Sequence, residues 1–315
     1  MTHDSLFSNV MKDILSGKSE LKLQNALKND FDKNGMHLAK VLAKGFNHKS
    51  CKVNKLILFN TFLSNQAIQI LANGLSTNKT ISTLMFSQIF YNIDKREGLK
   101  AIGNMLKKNK TITRFFFINT LIKGKELHFL TDGIKESRIE WLNIAGNEIK
   151  SSGLKFVAAL CNNPHCVLRY VDIGENQIAK TALERTFLPV IRKNLSLTFV
   201  DIYGNMYSEA LESQVENQFE KEMKINVSIQ KLWKEFYLEQ PELFLKQVQT
   251  LNQPKQIESL KHFSHFPFYI QFSKESILKV NFDLFMTWVK KKQTSNELNA
   301  ELRKLRKYKK HFFAK

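Results

Sequence analysis

Cysteine, proline and glycine are all scarce in this chain, and each scarcity closes a class of structures. Three cysteines are too few for a disulfide-built scaffold, and the odd number points to thiols kept in a reducing compartment. Five prolines and twelve glycines exclude a collagen-like or Gly/Pro-rich chain. No run of 18 apolar residues occurs, so no bilayer-spanning helix is expected. Met1 to Leu6 hold neither a basic segment nor an apolar run, so no secretory signal peptide is expected either. Acidic residues are also short, 29 against 48 basic, which leaves a formal charge of +19.

What remains is ordinary for a folded protein. With 43% hydrophobic and 24% charged residues, general disorder is excluded. A length of 315 residues suits one elongated body or two domains. The positive charge favours acidic partners, nucleic acid or anionic membrane without choosing among them. It is concentrated at the end, where residues 290–315 hold ten basic and two acidic side chains. Lysine outnumbers arginine and asparagine is abundant, as in AT-rich genomes, so part of the excess needs no partner.

An internal repeat governs the first two thirds. Three segments starting at Ile139, Leu168 and Leu197 share the pattern L-x-x-L-x-L-x-x-N at a spacing of 29 residues. Their second and third apolar residues are Leu142 and Ile144, Val171 and Ile173, Val200 and Ile202; their asparagines are Asn147, Asn176 and Asn205. Weaker copies start at Val53, Ile81 and Ile112, and a degenerate one lies near Leu21 and Leu23. Between them, Gly98 to Leu106 and Gly153 to Leu160 space apolar residues three and four apart, as helices do. Asn78 and Asn109, each followed by Lys-Thr, end helices and lead into strands.

A strand and a helix in about 28 residues resemble the ribonuclease-inhibitor type of leucine-rich repeat. The resemblance covers residues 19–205. It implies an α/β solenoid whose concave parallel sheet is backed by outer helices, each unit burying its apolar face only by stacking. In that family the asparagine bonds neighbouring loop backbone; Thr61, Ile89 and Thr120 stand there in the earlier units, and a bulge is expected near Ile89. Residues 1–18 are expected to form a helical cap and 206–315 an α-helical domain. Its expected helices span 207–224, 226–239, 242–252, 255–264, 274–292 and 295–312.

Strand side chains alternate, so the residues between the core positions face outward. One outward column reads Lys55, Thr83, Arg114, Trp141, Tyr170 and Phe199. The next reads Ile57, Met85, Phe116, Asn143, Asp172 and Asp201, and a third ends in Ala145, Gly174 and Tyr203. An aromatic ladder, Trp141–Tyr170–Phe199, beside an acidic strip is the expected docking face for a protein partner. Arg114, Phe116, Asn143, Asp172, Asp201 and Tyr203 complete it. Cover by the C-terminal region is the competing expectation. A second candidate surface is the basic final helix, with Arg303, Lys304, Arg306, Lys307, Lys309 and Lys310, which suits nucleic acid or an anionic membrane. Its bland alternative is a helix packing the thin stripe Leu302, Leu305 and Tyr308.

Chemistry is nearly absent from the sequence, and no enzyme, cofactor or metal is expected. His262 and His265 have a ligand-like spacing but lack clustered cysteine or carboxylate partners. Cys161, His165 and Cys166 sit at a repeat-helix end, where cysteine commonly fills core. No phosphate-binding glycine loop or nucleophile elbow occurs. Some bacterial effectors join leucine-rich repeats to a helical ubiquitin-ligase domain with a cysteine nucleophile; residues 206–315 contain no cysteine, which excludes that chemistry there. The Lys/Asn/Phe-rich composition, with Phe313 third from the end, resembles translocated effectors of intracellular bacteria that use type IV secretion. That resemblance implies a eukaryotic host protein as partner and the bacterial cytoplasm as the site before export.

Overall fold

The computed structural model describes residues 3–27, 31–90, 94–163, 166–206, 209–239, 275–292 and 299–312. Its framework is a seven-stranded parallel sheet in strict chain order: β1 (Glu20–Gln24), β2 (Lys55–Phe59), β3 (Thr83–Ser87), β4 (Arg114–Ile118), β5 (Trp141–Asn143), β6 (Tyr170–Asp172) and β7 (Phe199–Asp201). Helices precede and separate the strands: α1 (His3–Leu15), α2 (Phe31–Phe46), α3 (Asn65–Ser76), α4 (Arg96–Lys108), α5 (His128–Lys135) and α6 (Lys150–Cys161). The seventh interval is irregular. Lys180–Ala182 (α7) runs through a π turn, in which Leu188 N–H reaches Leu183 C=O, into Leu188–Ile191 (α8). Pro189 lacks an N–H for a regular helical bond, and the widened turn accommodates it. The fold is a leucine-rich-repeat solenoid followed by helices.

Sheet register puts the core residues in line: Leu21, Leu56, Leu84, Phe115, Leu142, Val171 and Val200 pair across successive strands. All but Val200 on the last strand are buried, because each is covered by the next unit and by the helical layer. One apolar core runs from Phe7, Val10 and Ile14 of α1 to the far end of the coil. The helices approach so closely that a Cβ on Gly133 would lie 2.0 Å from Gly103 C=O.

Two asparagine ladders hold the turns. Asn147 accepts from Thr120 and Ile122 N–H and donates to Phe117, Ile144 and Ala145 C=O. Asn176 and Asn205 repeat this arrangement one and two units on. Thr61 supplies only a hydroxyl, to Leu23 and Phe59 C=O, and Ile89 is simply buried. At the helix ends Asn78, Asn109 and Asn194 each donate to a carbonyl of the preceding unit while accepting two N–H groups of their own turn. After each strand the chain turns through a left-handed residue, Asn25, Asn60, Gln88, Asn119, Gly146, Glu175 or Gly204, with Leu121 and Gln177 adding a second after β4 and β6.

Beyond the sheet, α9 (Glu209–Glu239), α10 (Glu275–Lys292) and α11 (Asn299–Phe312) are described. The expected break between 224 and 226 does not occur: α9 is one helix of 31 residues. No proline or glycine interrupts it, and Asn226, buried in mid-helix, donates its amide to Leu197 C=O. The start of α9 joins the solenoid core through Val215, Phe219 and Met223. Its second half forms a separate apolar cluster, in which Trp233 stacks on Phe285 at 3.7 Å beside Leu302, Leu305 and Tyr308. The helices expected at 242–252 and 255–264, and His262 and His265, lie outside the described residues.

Candidate functional site

Register fixes the first outward column, pairing Arg114 with Trp141, Trp141 with Tyr170 and Tyr170 with Phe199. Strand spacing of about 4.8 Å matches the stacking distance of rings, so a column of aromatics closes into a stack. Trp141 and Tyr170 have centroids 4.9 Å apart, and Tyr170 and Phe199 lie 4.8 Å apart and parallel within 2°. The Arg114 guanidinium lies 4.6 Å above the Trp141 ring and extends the stack by a cation. Trp141 is 38% and Phe199 47% exposed, Tyr203 beside them 62%. Among the described residues no C-terminal helix covers them. Tyr170 is half-buried because it stands between two rings, and Phe116 is half-buried one column over.

The neighbouring polar column has a job that the alternation pattern did not reveal. Asn143 Oδ1 accepts from Ala145 N–H, Asp172 Oδ1 from Gly174 N–H and Asp201 Oδ1 from Tyr203 N–H, so the same two-residue turn is closed in three successive units. Asp172 is also bonded through Oδ2 to the Asn143 amide at 2.5 Å, and its charge acts on the Tyr170 phenol. Burial raises its pKa against the pull of the Gly174 N–H, with Asp201 and Glu175 adding to the rise. The Tyr170 phenol is pushed up to about 12, by burial first and then by Asp172 and Asp201. Asp172 therefore braces the ladder, and Asp201 is the more accessible carboxylate of the strip.

The basic end is less available than its sequence suggests. Lys304 is buried, its Nζ 2.8 Å from Glu222 Oε2 and bonded also to Glu222 C=O, which corrects its assignment to a surface patch. Lys304 shares a helical stripe with Glu301, Leu305 and Tyr308, all buried against α9 and α10. Lys309 pairs with Asp283 at 2.6 Å; Arg303, Arg306, Lys307 and Lys310 are exposed. Cys161 and Cys166 are buried free thiols, while His165 lies outside the described residues. Among the described residues no three His, Cys, Asp or Glu side chains gather as a metal site.

No protein-family profile matches the chain. Among curated proteins it is similar to three from Mus musculus, the NACHT, LRR and PYD domains-containing proteins 4C, 4E and 14. The first two are 26% identical over 52% of this chain and 16% of their own length. The third is 22% identical over 56% and 17%. The chain thus spans about a sixth of the curated relatives it matches. Among solved structures, leiomodin-1 actin-binding site 2 aligns with a TM-score of 0.44 and 14% identity over 56% of this chain and 96% of that one. The tropomodulin C-terminal domain of Caenorhabditis elegans aligns with a TM-score of 0.35 and 13% identity over 72% and 95%.

Proposed function

We propose that this chain is a non-enzymatic protein-interaction module that docks a protein partner on the open face of its sheet. The observation that supports this reading is the exposed stack Arg114–Trp141–Tyr170–Phe199. Rings partly exposed on an open face are common anchors of protein interfaces. Asp201 and the rim residue Tyr203 would select a basic group beside the apolar anchor, with Asn143 and Asp172 holding the strip in place and Phe116 widening the apolar floor. The proposal keeps the division into a cap at 1–18, a solenoid at 19–205 and a helical C-terminal domain, with α9 shared between the last two.

The narrower reading, an effector acting on a host protein, rests on composition and on Phe313, which lies outside the described residues. It sets the choice of sample for the test: the immobilised chain is used to capture proteins from a eukaryotic lysate, in parallel with Tyr170→Ala. Partners retained by the native chain and lost by the variant support the docking face. Identical capture by both removes the rings from the reading.

A further inference from the structure

The ring stack has two ends, and they are finished differently. At the first, the Arg114 guanidinium lies 4.6 Å from the centre of the Trp141 ring and closes the stack with a cation. At the other, Phe199 lies on Tyr170 through one face, parallel within 2°. Among the described residues no further ring or cation is stacked on its second face, and Phe199 stays 47% exposed. Tyr170 covers the β6 side, so that second face turns toward a groove of about 710 Å³ between β7 and the first half of α9.

Few charges in the groove are unspent. Glu220 and Lys224 pair at 2.8 Å, and Glu216 has an interaction of its own. Asp201 is different. Its Oδ1 accepts from Tyr203 N–H, and no cation pairs with it among the described residues. Asp201 follows Phe199 by two residues on β7, and strand alternation sets both on the outward face, about 7 Å apart along the strand. An open ring face and an uncompensated carboxylate thus share one corner. A group that satisfies both must be planar and positively charged. A guanidinium is both, whereas an ammonium is a compact, strongly hydrated point charge and an aromatic ring brings no charge.

We infer that this corner is a subsite for an arginine side chain of the protein partner, its guanidinium stacked on the open face of Phe199 and paired with Asp201. The inference rests on the docking face proposed above and names one residue that the partner brings to it. The added guanidinium would cap the stack as Arg114 caps the far end, one strand spacing of about 4.8 Å beyond Phe199. Its methylene stem would run along Val227, 38% exposed on the opposite wall.

The probe is N-acetyl-arginine amide, followed by ligand-observed NMR on the full chain. Saturation transfer should reach its δ-methylene group, and the resonance should move upfield under the Phe199 ring. The lysine counterpart, charged but not planar, and the citrulline counterpart, planar but neutral, should each give a signal weaker by about threefold or more. Phe199→Leu and Asp201→Asn should cause the same loss, and Phe199→Tyr should keep the signal. Both losses can be read on a folded chain, since residue 199 is exposed and asparagine at 201 still offers an oxygen to Tyr203 N–H. An equal signal from either counterpart, or indifference to Phe199→Leu or to Asp201→Asn, would overturn the subsite. Lysate capture scores the docking face separately. Partners lost in Tyr170→Ala but held as tightly by Asp201→Asn would overturn the subsite alone, whereas equal capture by the native chain and Tyr170→Ala would remove the face on which it rests.

Discussion

Tyr170 is held between Trp141 and Phe199, and the charge of Asp172 acts on its phenol. Its phenol should titrate near 12, after freely solvated tyrosines, and Asp172→Asn should bring it down; ultraviolet difference titration reads this directly. Because the folded value lies above the unfolded one, the folded state binds the proton more tightly. The group's contribution to stability is thus complete below about pH 10 and is lost as pH rises through 12. Asn176 illustrates the other residue-scale lever. Fully buried, it bonds Ile144, Ile173 and Gly174 C=O and accepts from Ile149 N–H, and Asn176→Ala leaves these groups dry. Chemical denaturation should show a loss of about 1–3 kcal/mol, the range for stranding buried polar groups.

At the scale of elements, the strands rest on their inward residues. Leu142→Ala or Ile173→Ala should cost about 2–5 kcal/mol through an unfilled cavity, measured by the shift of the denaturant midpoint. The docking of α11 on α9 carries a pH signature. Burial lowers Lys304 to about 8 in spite of Glu222, so between about pH 8 and 10 the unfolded chain holds the extra proton and stability rises with pH. The double variant Lys304→Met/Glu222→Gln should flatten that rise; an unchanged slope would assign it to another group. Element positions were legible in the sequence wherever apolar spacing repeated at 29 residues, and the asparagines marked the turns. The continuity of α9 was not, because its two halves pack on different clusters, Val215, Phe219 and Met223 on the solenoid and Trp233 and Phe236 on the later helices, so no single apolar pattern runs its length. Lys304 was misread because a lysine in a basic run looks solvated, although its place on the stripe of Leu305 and Tyr308 pointed inward.

Across the whole molecule, stacking converts weak local signals into one core, which is why the fold was readable from periodicity alone. The site was readable only in part. Register fixed which rings line up, but sequence alternation cannot distinguish an outward carboxylate that waits for a partner from one that closes its own turn, as Asp172 and Asn143 do. The net charge of +19 makes phosphate-rich partners the natural rival to an aromatic docking face, and the two differ in salt dependence. The most direct measurement is the dissociation constant of a captured protein partner for the native chain and for Tyr170→Ala, each at low and high salt. Docking on the rings predicts at least a tenfold weakening in Tyr170→Ala, with native melting behaviour and little change with salt. Undiminished binding by Tyr170→Ala, with an affinity that collapses as salt rises and vanishes on deletion of residues 300–315, would contradict it.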